Sequence, residues 1–161
     1  MKKTLTDASA VIGLAFAEAE YMPAAAVSPA DIAVAEERYI VPVTGRALYE
    51  KMLEGEYADL RNEYAVPVAA AFVRLGMQPL TDLRSGRFGT VAPRSDNCQP
   101  ADRASLLDLR RALLERGRAL RRRLSDYLER HAADYPEYDP DDEEQNLYVA
   151  QLSKYNLKSI D

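Results

Sequence analysis

The chain has 161 residues, 47% hydrophobic and 29% charged, which suits one domain with a real core. A formal net charge of -5 argues against a general nucleic-acid coat. One cysteine and one histidine rule out an intrachain disulfide framework and leave a Cys/His zinc site short of ligands.

Along the chain, the first segment reads MKKTLTDASAVIGLAFAEAE. Two lysines and a short apolar run weakly suggest a signal peptide, but Asp7, Glu18 and Glu20 break that pattern. No run in the chain approaches the roughly 20 apolar residues of a membrane span, so a cytoplasmic protein is expected. Val11, Ile12, Ala15 and Ala19 fit a helical stripe, while Ile12, Leu14 and Phe16 fit strand alternation; a helix is expected. YMPAAAVSP then reads as a connector.

Ser28-Pro29-Ala30-Asp31 is a strong helix start, with an N-cap serine, proline at the first helical position and an acid at the third. Ile32, Ala35, Tyr39 and Ile40 form its apolar face. Pro42 is expected to end this helix, and Thr44-Gly45 to break the chain before a second helix, with Thr44 as its cap. In that helix Leu48, Met52 and Leu53 point inward and Gly55 is the stop. A third helix is expected over residues 57–75, kinked or split by Pro67 and ended by Gly76.

Residues 77–100 hold three prolines and two glycines and read as a long loop or hairpin arm turning around Ser85-Gly86. Leu83, Phe88 and Val91 are its apolar positions. Residues 101–131 are the clearest helix, with Leu106, Leu109, Leu113, Leu120, Leu124 and Leu128 on one stripe. Gly117 inside the stripe permits close approach of another helix. The expected fold is all-α: a small bundle of about four to five helices, with the arm between the last two main helices. The bundle is placed at residues 1–133, and an acidic linker and short amphipathic tail at 134–161.

Few residues suggest chemistry. SGRFGT, with Gly86, Phe88 and Gly89, lacks both the Lys-Ser/Thr pair of a P-loop and the third glycine of a dinucleotide fingerprint, so it reads as a turn. Glu36 and Glu37 diverge by about 100° on a helix and cannot both point inward. With one histidine, no di-metal bundle can be assembled. Cys98 reads as incidental, and His131 as a helix C-terminal cap. No catalytic, cofactor or metal residue is assigned.

Charge is unevenly distributed. Residues 101–133 carry nine arginines against five acids, and residues 134–144 carry seven acids and no base. Arg111, Arg118 and Arg122 fall near one helix face, with Arg110 and Arg121 near another. Helical spacing pairs Glu115 with Arg111 and Arg118, and Asp126 with Arg122 and Arg130. A solvated face, a contact between copies, or contact with nucleic-acid phosphate all fit these arginines. Tyr39, Tyr49, Tyr64 and Tyr127 lie on core faces. Tyr135, Tyr138, Tyr148 and Tyr155 cluster in the tail, where docking on another surface is expected.

The run IAVAEERYIVPVTGRALYEKM resembles the first block of head–tail connector (head-completion adaptor) proteins of tailed phages and prophages, at Ile32, Ala35, Glu36, Tyr39, Ile40, Gly45, Leu48 and Tyr49. The resemblance continues through the alanine-rich helix 65–75, the loop with Gly86 and Gly89, and the arginine-leucine helix ending in LSDYLERHAADYPEY. It covers most of residues 28–138; the N-terminal segment and the acidic tail lie outside it.

The resemblance implies a non-enzymatic structural protein of the virion, made in the host cytoplasm. It would be monomeric in solution and assemble as a ring under the portal, where it receives the tail or its stopper, with DNA only passing through. Glu36, Tyr39, Pro42, Gly45 and Tyr49 would then form a packing hinge. Arg111, Arg118, Arg122, Tyr135 and Tyr138 would be interface residues. A generic intracellular helical adaptor, or a small-ligand enzyme with a pocket between helices, fits the composition as well.

Overall fold

In the computed structural model, which describes residues 3–16, 22–82, 84–86, 89–91 and 101–139, the helix start at Ser28 forms as written. The Ser28 hydroxyl accepts from the Asp31 N–H, and the Asp31 carboxylate accepts from the Ser28 N–H, closing a capping box at the head of α2 (Pro29–Tyr39). Ahead of it lies α1 (Ala8–Ala15), capped by the Asp7 carboxylate on the Ala10 N–H. A 3-10 turn, Ala24–Ala26, connects the two. Val11 is buried and Ile12 and Ala15 are half-buried, in keeping with the helical stripe; Ala19 lies outside the described residues.

The chain between α2 and the next long helix departs from expectation. Pro42, ahead of which α2 ends at Tyr39 as expected, does not continue that helix. It stands in the first turn of a short helix α3 (Val41–Thr44), where its missing N–H costs nothing. Gly45 follows with φ 77° and ψ 160°, a region that favours glycine, and begins α4 (Arg46–Glu54). Thr44 is not the cap of α4, whose first turn has no side-chain cap. Its buried hydroxyl instead lies 3.2 Å from the Ile40 carbonyl. At the far end, Gly55 is left-handed, its N–H on Met52 O and the Glu56 N–H on Lys51 O, a Schellman stop.

Tyr57 is left-handed too, so the third helix begins one residue late, as α5 (Ala58–Leu60). A π turn, Arg61–Ala65, continues into α6 (Val66–Asp82). The Val66 N–H reaches back five residues to Arg61 O just before Pro67, which has no N–H to offer. The effect expected of Pro67 is thus absorbed as one wide turn. Gly76 does not end the helix, and Pro79 lies within it. Val73, Met77 and Gln78 are buried on either side of Gly76, and that burial outweighs a glycine cost of about 1 kcal/mol. The stretch expected as loop from residue 77 is therefore helical to Asp82.

Two short strands, β1 (Arg84–Gly86) and β2 (Gly89–Val91), pair antiparallel in the register Arg84↔Val91, Ser85↔Thr90, Gly86↔Gly89. The hairpin is centred between Gly86 and Gly89, two residues later than expected. Leu83, Phe88 and Cys98 lie outside the described residues. The last helix, α7 (Arg103–Arg130), has 28 residues and is about 42 Å long. Asp102 caps it, and hydrogen bonds from Ser105 hold the Asp102 carboxyl below the usual carboxylate range.

The fold is all-α, with α6 at the centre against α1, α2 and α7. Its buried small residues, Ala69, Ala70 and Ala71, let neighbouring backbones approach closely. The bundle buries α7 most deeply in its later half. Leu124 and Leu128 are fully buried, each contributing about 1.5–3 kcal/mol. Leu109, expected on the buried stripe, is 38% exposed, and Leu107 is 51% exposed. Packing does not stop at residue 133. A 3-10 turn, Ala132–Asp134, leads to Tyr135, which is buried, and to Tyr138, which is half-buried. Among the described residues, no helix is long and apolar enough to cross a membrane.

Candidate interaction site

The α2–α3–α4 joint is organised around one carboxylate. Glu36 is fully buried, and its two oxygens have different donors. Oε1 accepts the Leu5 backbone N–H at 2.8 Å, and Oε2 accepts the Tyr49 hydroxyl at 2.8 Å. One side chain thus ties the N-terminal segment, α2 and α4 together. Burial, and then the bond to Glu36, push the Tyr49 hydroxyl above its ordinary pKa. Glu37 points outward, as the helical angle requires, and pairs with Arg46, whose guanidinium also sits 5.8 Å from the Tyr49 ring centre. Glu36 is closed to solvent and already accepts two donors, so the geometry gives it a structural role.

Tyr39 is the second expected hinge residue. Its ring stacks on Phe72 of α6 at 3.6 Å between centres and 6° between planes. Phe72 in turn lies on Gly117 of α7; a Cβ at position 117 would stand 2.9 Å from the ring. The close approach expected at Gly117 is therefore made by an aromatic side chain. Of the five hinge residues, Glu36, Gly45 and Tyr49 meet at one joint, Tyr39 reaches across to α7, and Pro42 starts a turn.

The arginine face is partly neutralised, though not by the expected partners throughout. Arg118 pairs with Glu115 at 2.9 Å, as expected. Arg111 pairs with Asp108 at 3.0 Å rather than with Glu115. Arg130 donates to the Asp126 backbone carbonyl, not to its carboxylate. Arg116 reaches the Leu14 carbonyl and joins α7 to the end of α1, while Arg123 lies 4.6 Å from the Tyr64 ring centre. Arg122 is exposed. Arg121 was expected with Arg110 near another face of the helix. It is half-buried, and burial, then the charge of Arg118, lower its pKa, against a favourable contribution from Tyr39. Its position four residues after Gly117 was the available signal, because the two share a helix face.

Two tail tyrosines expected to dock elsewhere dock on their own chain. The Tyr135 ring meets Tyr57 edge-on at 5.0 Å, and its hydroxyl is 3.2 Å from that of Tyr127. The Tyr57 hydroxyl donates to Glu137 at 2.9 Å. Tyr64 and His131 stack on Tyr127 at 4.1 and 4.3 Å. Tyr138 is half-buried against the core. These rings already supply an apolar partner surface, so Tyr135 and Tyr138 are intramolecular anchors. His131 caps α7 as expected: its backbone N–H bonds Leu128 O and Tyr127 O, and Nδ1 donates to Tyr127 O at 2.9 Å. Tyr148 and Tyr155 lie outside the described residues. Among the described residues, no group of three His, Cys, Asp or Glu side chains is placed to hold a metal ion.

Fold and site together define an all-α bundle with a carboxylate-locked helix joint and a basic helix along one side. The chain belongs to the Family of unknown function (DUF6712), which matches residues 36–146. The match begins at Glu36 and takes in α2 from that residue, the α3–α4 joint, α6 and α7. No curated protein matches the chain, and no solved structure does.

Proposed function

We propose that this protein is a non-enzymatic head–tail connector adaptor of a tailed phage or prophage. It acts in the host cytoplasm and in the virion, as a ring between the portal and the tail or its stopper. The observation that carries this reading is the state of Glu36. In the run that resembles the connector block, Glu36 is sealed from solvent and spends both oxygens on holding helices in place. A joint of this kind suits a part whose work is shape. The all-α bundle and the hairpin between α6 and α7 also agree with the resemblance.

The test is deletion of the gene from the phage or prophage that carries it, followed by electron microscopy of the particles. The connector reading expects filled or leaking heads without tails, restored by the gene in trans, and portal and capsid genes beside it. Tailed particles at normal yield after deletion sink the reading and favour a general helical adaptor.

A further inference from the structure

Leu109, Arg116, Arg123 and Arg130 stand seven residues apart along α7, so they form one row on one side of the helix, with steps of about 10.5 Å. The three arginines are exposed, and among the described residues none has a carboxylate within ion-pair distance. On the opposite side, Arg111 and Arg118 have Asp108 and Glu115. Along the row, Arg130 donates to the Asp126 carbonyl, Arg123 faces the Tyr64 ring and Arg116 donates to the Leu14 carbonyl at 3.1 Å. That last contact brings the end of α1, where Leu14 is 44% exposed, to the same side of α7 as Leu109, which is 38% exposed. Leu106 and Leu113, a turn to either side of Leu109, are half-buried. The row thus passes from arginines without carboxylate partners to an apolar stripe.

The tail is rooted on this side. Tyr127, four residues after Arg123 and three before Arg130, shares their face. His131 stacks on its ring, and the Tyr135 hydroxyl lies 3.2 Å from its own. Residues 140–161 follow and lie outside the described residues. Their sequence repeats the order of the row. Four consecutive acids, Asp141, Asp142, Glu143 and Glu144, come first, and then Tyr148, Leu152 and Tyr155 at the spacing of one helical face. A helix this short needs a surface to form on. The reach also fits. Leu109 is about 27 Å along α7 from Tyr127, and the chain from Asp139 to Tyr148 spans up to about 30 Å when extended.

We propose that the tail of this chain folds back along its own α7, with the acids 141–144 on Arg123 and Arg116 and with Tyr148, Leu152 and Tyr155 on the stripe of Leu109, Leu113 and Leu14. The tail is then an intramolecular cover over an apolar surface, held in part by exposed ion pairs that salt weakens. It does not rest on the connector reading, because it concerns the free chain and can be measured without any phage particle.

Disulfide trapping in the full chain tests the contact. In a Cys98→Ser background, Leu109→Cys is combined in turn with Tyr148→Cys, Leu152→Cys and Tyr155→Cys, and closure under a mild chemical oxidant is followed on non-reducing gels. At least one pair should close within a single chain, about tenfold or more faster than the same tail position paired with Leu107→Cys. Leu107 is 51% exposed but lies on the opposite flank of the same helical turn. High salt should slow closure by about fivefold or more. Neutralising the tail with Asp141→Asn, Asp142→Asn, Glu143→Gln and Glu144→Gln should do the same, and these changes lie outside the packed bundle. Equal rates at positions 107 and 109 overturn the proposal, as does closure that salt or the neutral tail leaves unchanged. Disulfides formed only between chains overturn it in favour of a second copy on the stripe, and no closure at any tail position rejects the tail as its occupant.

Discussion

Glu36 and Tyr49 meet at 2.8 Å inside the protein, thirteen residues apart along the chain and on opposite sides of the α2–α3–α4 joint. The hydroxyl donates to an oxygen that has no access to water, so its loss leaves a buried carboxylate under-satisfied. Tyr49→Phe should cost about 1–3 kcal/mol at neutral pH. The pH dependence has a definite sign. The folded-state pKa of Tyr49 is raised above its ordinary 10.0, so its contribution is complete below that value and is lost as pH climbs above it. Urea denaturation at neutral pH and above 10.0 should therefore show a shallower alkaline decline in Tyr49→Phe than in the parent chain, with Tyr135, raised by burial, keeping its own share. Equal declines in the two proteins would count against the bond.

Gly45 has a backbone that a β-branched residue adopts only with strain. It is buried, with φ 77°, between α3 and α4. Gly45→Val should destabilise the fold by more than about 1 kcal/mol. Thermal melting is the direct check, and an unchanged midpoint would show that the joint relaxes freely.

Gly117 and Phe72 should behave as one unit. A methyl group at position 117 would press on the Phe72 ring at 2.9 Å, and the ring is held from another direction by its stack on Tyr39. Gly117→Val should cost about 1–3 kcal/mol through overpacking. Combined with Phe72→Leu, it should cost less than the sum of the two single changes, because the smaller side chain vacates the contested space. Strict additivity in a double-mutant cycle would mean that Phe72 is not what resists the new side chain.

Arg118→Glu with Arg122→Glu should leave the monomer folded. Arg122 is exposed, and the surface pair of Arg118 with Glu115 is worth at most about 1 kcal/mol. Under the connector reading, the same double change should sharply reduce joining of heads to tails. Particle counts by microscopy and infectivity decide it. Tail-bearing particles at normal levels would reduce this face to solvated surface, and heads that acquire the variant yet leak DNA would shift the contact to the next ring or to DNA.

The sequence by itself determined the features whose partners are a few residues away. The capping box of Ser28 and Asp31, the Gly55 stop, the long helix after Asp102 and the divergence of Glu36 from Glu37 are all written in local hydrogen bonds and helical angles. The joint was legible as a joint because a glycine and a proline stand together there. Tertiary structure decided the rest. Gly76 and Pro79 stay helical because Val73, Met77 and Gln78 are buried against neighbouring elements. Tyr135 folds inward because Tyr57, nearly eighty residues earlier, offers its ring. Glu36 became a lock only when Leu5, 31 residues away, brought its backbone N–H to the second oxygen. Periodicity reports which face a residue is on, but only the packed chain determines what that face meets, because burial and desolvation depend on groups distant in sequence.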